Sequence, residues 1–235
     1  MKTSAIIVAA GSGSRLGRGE PKAFVALAGR TMLAWSLATI ARVASVEEVV
    51  VAVPAGREAA ARREASALLT IPVKIAPGGA ERQDSVRIAL ALTSAQSELV
   101  IIHDAARPFA TPEMFTACLA LASRSGGGAI AAIPVADSLK RVDPGGAISS
   151  SVPRSDLWQA QTPQAFRRAL LVAAHDQALR DGVVVTDDAD LAERIGARVE
   201  VVESNARNFK ITTEADLELA QAWLAAKPRM KPPWD

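Results

Sequence analysis

Residues 4–17 read SAIIVAAGSGSRLG. An unbroken apolar run that stops abruptly at glycines is the pattern of a strand buried on both faces and followed by a tight turn. The next segment, TMLAWSLATIARV (31–43), spaces its apolar residues as a helix does. The alternation then repeats. Strands are expected at EEVVVAVP (47–54), IPVKIAP (71–77), ELVIIHD (98–104), GAIAAIPV (128–135) and ARVEVVE (197–203). Helices are expected at 57–69, 82–93, 167–181, 187–195 and 213–226, and another begins at Thr111-Pro112-Glu113 with a threonine cap and proline in its first turn. Strands alternating with helices imply an α/β fold with a doubly wound, mostly parallel sheet.

The rhythm breaks at residues 137–165. Two β-like stretches flank the turn Asp143-Pro144-Gly145-Gly146 with little apolar alternation, so this segment is expected to protrude as a β-hairpin arm. The chain reads as one domain over residues 1–227, arm included, followed by a loosely ordered, proline-rich tail at 228–235.

Bulk properties narrow the function. Hydrophobic residues make up 49% of the 235, enough for a sizeable core. The formal net charge is only +2, with no lysine-rich block, so nucleic-acid binding is not suggested. No apolar run reaches membrane-spanning length, and the run at 5–10 is too short for a secretory leader, so no membrane association and a cytoplasmic protein are expected. Cys118, the single cysteine, lies in an apolar helical pattern and reads as a core thiol.

Four groups of residues carry chemistry. Ala9, Ala10, Gly11, Ser12 and Gly13 form a turn whose backbone N–H groups suit a phosphate, and Arg15 and Lys22 add the positive charge that a triphosphate needs. The turn is neither a Walker loop, which needs Gly-Lys-Ser/Thr, nor a dinucleotide fingerprint, whose third glycine would fall at Leu16. At the end of VIIHD, Asp104 arrives at the carboxyl edge of the sheet, where a carboxylate can hold Mg²⁺ bridging phosphates. Arg107 can face a second phosphate, whereas His103 reads as a packing and hydrogen-bonding residue.

Third, Gly78-Gly79 precedes a polar helix start that could offer Ser85 to a base, although on these residues alone an ordinary helix N-terminus with Glu81 and Asp84 is the better reading. Fourth, Ser138, Lys140, Arg141, Arg154, Thr162 and Lys210 are individually surface residues that together suit an anionic acceptor. Thr186-Asp187-Asp188-Ala189-Asp190 reads as a capped helix start with an acidic first turn rather than a metal site.

The motifs AAGSGSRLG, EPKAF, GGAERQDSV, HDAARPF, PVADSLK, WQAQTPQAF, TDDADLAE and NFKIT follow one another over residues 4–225. In that order they resemble the 2-C-methyl-D-erythritol 4-phosphate cytidylyltransferases, and several are shared with ribitol 5-phosphate cytidylyltransferases. The resemblance implies a Rossmann-like nucleotidyltransferase that joins CTP to methylerythritol 4-phosphate with Mg²⁺. It also implies a homodimer that exchanges its arms. Arg15, Lys22, Arg154 and Lys210 would be catalytic. Ala9, Ala10, Gly11, Gly13, Gly79 and Ser85 would hold the nucleotide, Asp104 the metal, and Arg107, Ser138 and Thr162 the acceptor, with Ser138 and Arg154 given by the partner chain. Ala80 stands where some members carry Asp, and Arg207 where some carry an acid, so no ligand contact is assigned to either.

Overall fold

The computed structural model describes residues 1–226, and the expected tail at 228–235 lies outside the described residues. The strands are β1 (Thr3–Val8), β2 (Ala26–Leu27), β3 (Arg30–Thr31), β4 (Val46–Val53), β5 (Val73–Pro77), β6 (Leu99–Asp104), β7 (Gly128–Pro134), β8 (Leu139–Val142), β9 (Ile148–Val152), β10 (Trp158–Arg167) and β11 (Val199–Glu203). The helices are α1 (Met32–Ile40), α2 (Glu58–Leu68), α3 (Arg82–Leu92), α4 (Pro112–Ser125), α5 (Arg168–Asp181), α6 (Asp188–Arg194) and α7 (Glu214–Ala226). Seven strands form the central sheet in the order β11-β7-β10-β6-β1-β4-β5. Every pairing in it is parallel except those of β10, which runs against both β6 and β7.

The apolar run of β1 is buried on both faces, as its lack of alternation requires. Ala5 and Ile7 join the core that holds Leu33 and Leu37 of α1, Ala61 of α2 and Phe115 of α4. Ile6 faces the opposite core, with Val86 of α3, Leu171 of α5 and Ala189 of α6. Helices therefore cover both faces. A third cluster, built on Leu16, Trp35, Phe109, Ile211 and Leu217, packs α7 beside the glycine-rich loop.

The structure departs from the sequence pattern at two places. The sequence pattern assigns the arm to 137–165, but only the β8–β9 hairpin protrudes. The segment Trp158–Arg167 enters the central sheet, where Ala165 and Phe166 are fully buried. Its polar first half hides a buried second half, so the apolar alternation of a half-exposed strand never develops. Thr111 sits at the cap position of α4, yet its side chain bonds no helix amide; its hydroxyl instead meets the Glu113 carboxylate. The cap of α6 forms as expected, with the Asp187 side chain accepting from the Asp190 N–H at 3.1 Å. Among the described residues, no helix is long and apolar enough to cross a membrane.

Candidate active site

Strand order reverses at β1: the chain runs outward through β4 and β5, then returns to add β6 on the other side. Such a switch point opens a crevice at the carboxyl ends of the strands. The register of the β1–β6 pair sets Val8 beside Asp104, so the glycine-rich loop and this carboxylate leave the sheet side by side. Between them lies a cavity of about 490 Å³. Ala9, Ala10, Gly11, Gly13, Arg15, Lys22, Gly79, Ser85, Asp104 and Lys210 all line it.

The loop's backbone is fitted to this task. Gly13 has φ of +73°, which favours glycine, and a Cβ there would meet the Lys22 backbone nitrogen at 2.9 Å. The loop thus rests directly on Lys22. On the opposite wall a Cβ at Gly79 would meet the Asp84 Cβ at 2.2 Å, so only glycine closes this turn onto α3. Ser85 accepts the Gly79 N–H at 3.0 Å and donates to the Glu81 carbonyl at 3.2 Å. Its hydroxyl shapes the wall, and Glu81 and Asp84 form a capping box beneath it.

Asp104 is the electrostatic centre. Arg82 Nε donates to its Oδ1 at 3.0 Å and Lys210 Nζ to its Oδ2 at 2.6 Å. Burial alone would raise this carboxyl, but Arg82, Lys210 and Arg107 outweigh it and hold it well below the usual carboxylate range. Lys22 shows the converse. Desolvation, reinforced by Lys210, Arg15 and Arg107, lowers its amine to about 8. The cavity lining therefore carries an excess of positive charge: Arg15, Lys22, Arg82 and Lys210 against Glu81 and Asp104.

Behind Asp104 a chain of hydrogen bonds fixes the strand ends. Thr162 Oγ1 accepts the Asp104 N–H at 3.0 Å and lies 3.0 Å from His103 Nδ1, while His103 Nε2 lies 3.2 Å from the Arg107 carbonyl. That carbonyl can only accept, so Nε2 carries the proton and Nδ1 accepts from Thr162. Burial lowers His103 to about 4, which keeps the ring neutral. His103 is the packing and hydrogen-bonding residue its sequence context suggests.

Not every expected residue reaches the cavity. Thr162 is buried, with its hydroxyl engaged by Asp104 and His103. Arg107 donates to the Asn208 and Ala160 carbonyls at 2.8 and 3.4 Å and lies outside the lining. Ser138 and Arg154 are exposed on the arm segment and absent from the cavity wall of their own chain. Conversely, sequence reasoning misses Arg82. It opens α3 inside the quoted motif GGAERQDSV, but a cation at a helix start reads as a solvated surface residue. Asp188, which pairs with Arg82 at 2.8 Å, reads from sequence only as part of a helix start.

The comparisons with known proteins agree with this geometry. Residues 3–226 match the family described as 2-C-methyl-D-erythritol 4-phosphate cytidylyltransferase. A protein of that name from Deinococcus radiodurans is 48% identical over 221 residues, covering 94% of this chain and 89% of the relative. The crystal structure of the Thermus thermophilus protein of that name superposes with a TM-score of 0.79 at 39% identity, covering 96% of this chain and all of that one. A 4-diphosphocytidyl-2C-methyl-D-erythritol synthase from Anaerococcus prevotii superposes with a TM-score of 0.83 at 31% identity, covering 95% and 98%. With its switch-point cavity, glycine-rich loop and central carboxylate, the chain belongs to the 2-C-methyl-D-erythritol 4-phosphate cytidylyltransferase family.

Proposed function

We propose that this enzyme transfers CMP from CTP to 2-C-methyl-D-erythritol 4-phosphate and releases pyrophosphate, as a step of isoprenoid precursor synthesis. The observation that carries the proposal is the cationic cavity, in which Arg15, Lys22 and Lys210 surround the end of β1 with Asp104 at its side. Two polyanions must meet in this reaction, and their repulsion grows as water is excluded. Arg15, Lys22 and Lys210 offset that repulsion and stabilise the charge that builds on the α-phosphoryl oxygens and the departing pyrophosphate. The acceptor is a phosphate monoester, anionic near neutral pH, so no general base is required. Attack is direct and in line. Cys118 offers no covalent alternative, because burial pushes its thiol up to about 12.

Ala9, Ala10, Gly11, Gly13, Gly79 and Ser85 hold the nucleotide along the two loop walls. The donor set suits Mg²⁺ held chiefly by a nucleotide. Asp104 offers carboxylate oxygens at the cavity, and among the described residues no group of three or more His, Cys, Asp or Glu forms an all-protein cage. Bound there, the ion would neutralise phosphate charge.

Arg107 and Thr162 support the acceptor side by fixing the loop after β6. Ser138 and Arg154 act from the arm of a second copy. Supporting this is the exposure of Leu139, Val142, Ile148 and Trp158 on or beside the arm, apolar surface that an exchanged arm would cover. The proposal includes a cytoplasmic homodimer without membrane or nucleic-acid partners. The test is pyrophosphate release with Mg²⁺ and CTP, UTP or ATP, using methylerythritol 4-phosphate or ribitol 5-phosphate as acceptor. Release with CTP and methylerythritol 4-phosphate alone is expected. Release only with ribitol 5-phosphate would move the protein to another pathway.

A further inference from the structure

We propose that Asp188 is a positioning residue that restricts Arg82 to one oxygen of Asp104, leaving the other oxygen for the divalent cation that accompanies the nucleotide. This inference rests on the transferase reading above. An arginine and a carboxylate ordinarily match as a two-point fork. Here the fork is split. Arg82 gives Nε to Asp104 Oδ1 at 3.0 Å, and Nη1 to Asp188 Oδ2 at 2.8 Å. Its remaining nitrogen, Nη2, is buried without a hydrogen-bond partner. A buried donor left unpaired is costly, so some stronger constraint must hold the guanidinium in this pose.

Asp188 supplies that constraint. Its side chain is 1% exposed and does not line the cavity, so it can act on a ligand only through another residue. Two hydrogen bonds to other elements hold it, and a third element packs against it. Its N–H donates to Gln164 Oε1 of β10 at 3.3 Å, its Oδ1 lies 3.5 Å from His175 Nε2 of α5, and its Oδ2 takes Arg82 of α3. The consequence falls on Asp104. Oδ1 is held by Arg82, whose side chain is 21% exposed and tied down a second time by Asp188, whereas Oδ2 is held by Lys210, whose side chain is 36% exposed on a flexible stem. Lys210 is the partner that an incoming cation can displace, and its amine is then free for phosphate. Without Asp188, Arg82 would turn Nη2 onto Oδ2 and close the fork over the whole carboxylate.

The test compares wild type, Asp188→Asn and the double variant Arg82→Gln/Asp188→Asn. CTP affinity is measured by calorimetry with Mg²⁺ and again in EDTA, with thermal midpoints recorded alongside. In Asp188→Asn, CTP affinity with Mg²⁺ should fall by about tenfold or more while affinity in EDTA stays near wild type, as for loss of a group supporting a metal ligand. The double variant has no guanidinium to close the fork and should recover most of the Mg²⁺-dependent gain. A single variant that keeps the full gain would overturn the proposal. So would a double variant as impaired as the single one, because a merely structural role for Asp188 would not be relieved by removing Arg82. A wild-type protein that binds no CTP would instead overturn the transferase reading on which the inference stands.

Discussion

Lys22 should trade stability for activity, and the structure sets the scale. In the free protein its amine sits among Lys210, Arg15 and Arg107 and is partly desolvated, which lowers it from 10.5 to about 8. Each pKa unit corresponds to about 1.4 kcal/mol, so the charged amine costs the folded state at most about 3.5 kcal/mol. The side chain is only partly buried, and solvent screening reduces this to about 1–3 kcal/mol. Replacing Lys22 by methionine keeps the stem and removes the charge. At pH 7 the variant should be more stable by that amount, a rise in midpoint of roughly 3–10 °C for a chain of this size.

The sign fixes the pH dependence. Below about 8 the amine is charged in both the folded and unfolded states, and its full cost is present. Between about 8 and 10.5 the folded state has lost its proton and the unfolded state has not, so wild-type stability rises with pH and the advantage of Lys22→Met fades. Turnover should meanwhile fall by about 10²–10³, as for loss of one group that stabilises developing charge. Urea denaturation of both proteins from pH 7 to 10, beside a pyrophosphate-release assay, makes the measurement. A variant no more stable than wild type at pH 7, or one with wild-type turnover, would refute the reasoning.

Four further outcomes are expected. Arg15→Ala should lower turnover by about 10²–10³ with an unchanged thermal midpoint, read by the same assay and by circular dichroism. Asp104→Asn should abolish turnover and cost about 3–5 kcal/mol in chemical denaturation, because it removes the buried carboxylate that half-buried Arg82 and Lys210 both pair with. Glu48 lies at the other end of the sheet, where Ser4 and Lys74 donate to its carboxylate at 2.6 and 2.9 Å. Burial opposes its ionisation, but these bonds and the Ser94 N–H lower its pKa below 4.5, so its contribution is present above that value and lost as pH falls through the lowered one. Glu48→Gln should therefore weaken the fold by about 1–3 kcal/mol at pH 7, and less in acid, while kcat is unchanged. Finally, mixing Arg15→Ala with Arg154→Ala protein should regain activity if arms are exchanged, since one site of each heterodimer is then intact; no recovery after subunit exchange would count against a shared site.

Much of this molecule is written locally. The run at 4–10 is apolar without alternation, which only a strand covered on both faces tolerates, and β1 contributes Ile6 and Ile7 to opposite cores. Helix boundaries at α3, α5, α6 and α7 fall within a residue or two of their expected ends, since caps and periodicity act over a single turn. The glycine-rich loop and Asp104 are legible for the same reason, since the loop follows directly on β1 and Asp104 ends β6; Lys22 is legible as a cation flanking that loop. Tertiary structure alone decided the rest. WQAQTPQAF looks like part of an arm because what buries it, β6 on one side and β7 on the other, is remote in the chain. Asp104 meets Arg82 and Lys210 from 22 and 106 residues away, and Asp188 meets Arg82 from 106. No local periodicity encodes such pairs. A charged residue at a helix start looks solvated until the fold brings its counter-charge against it and removes the water between them.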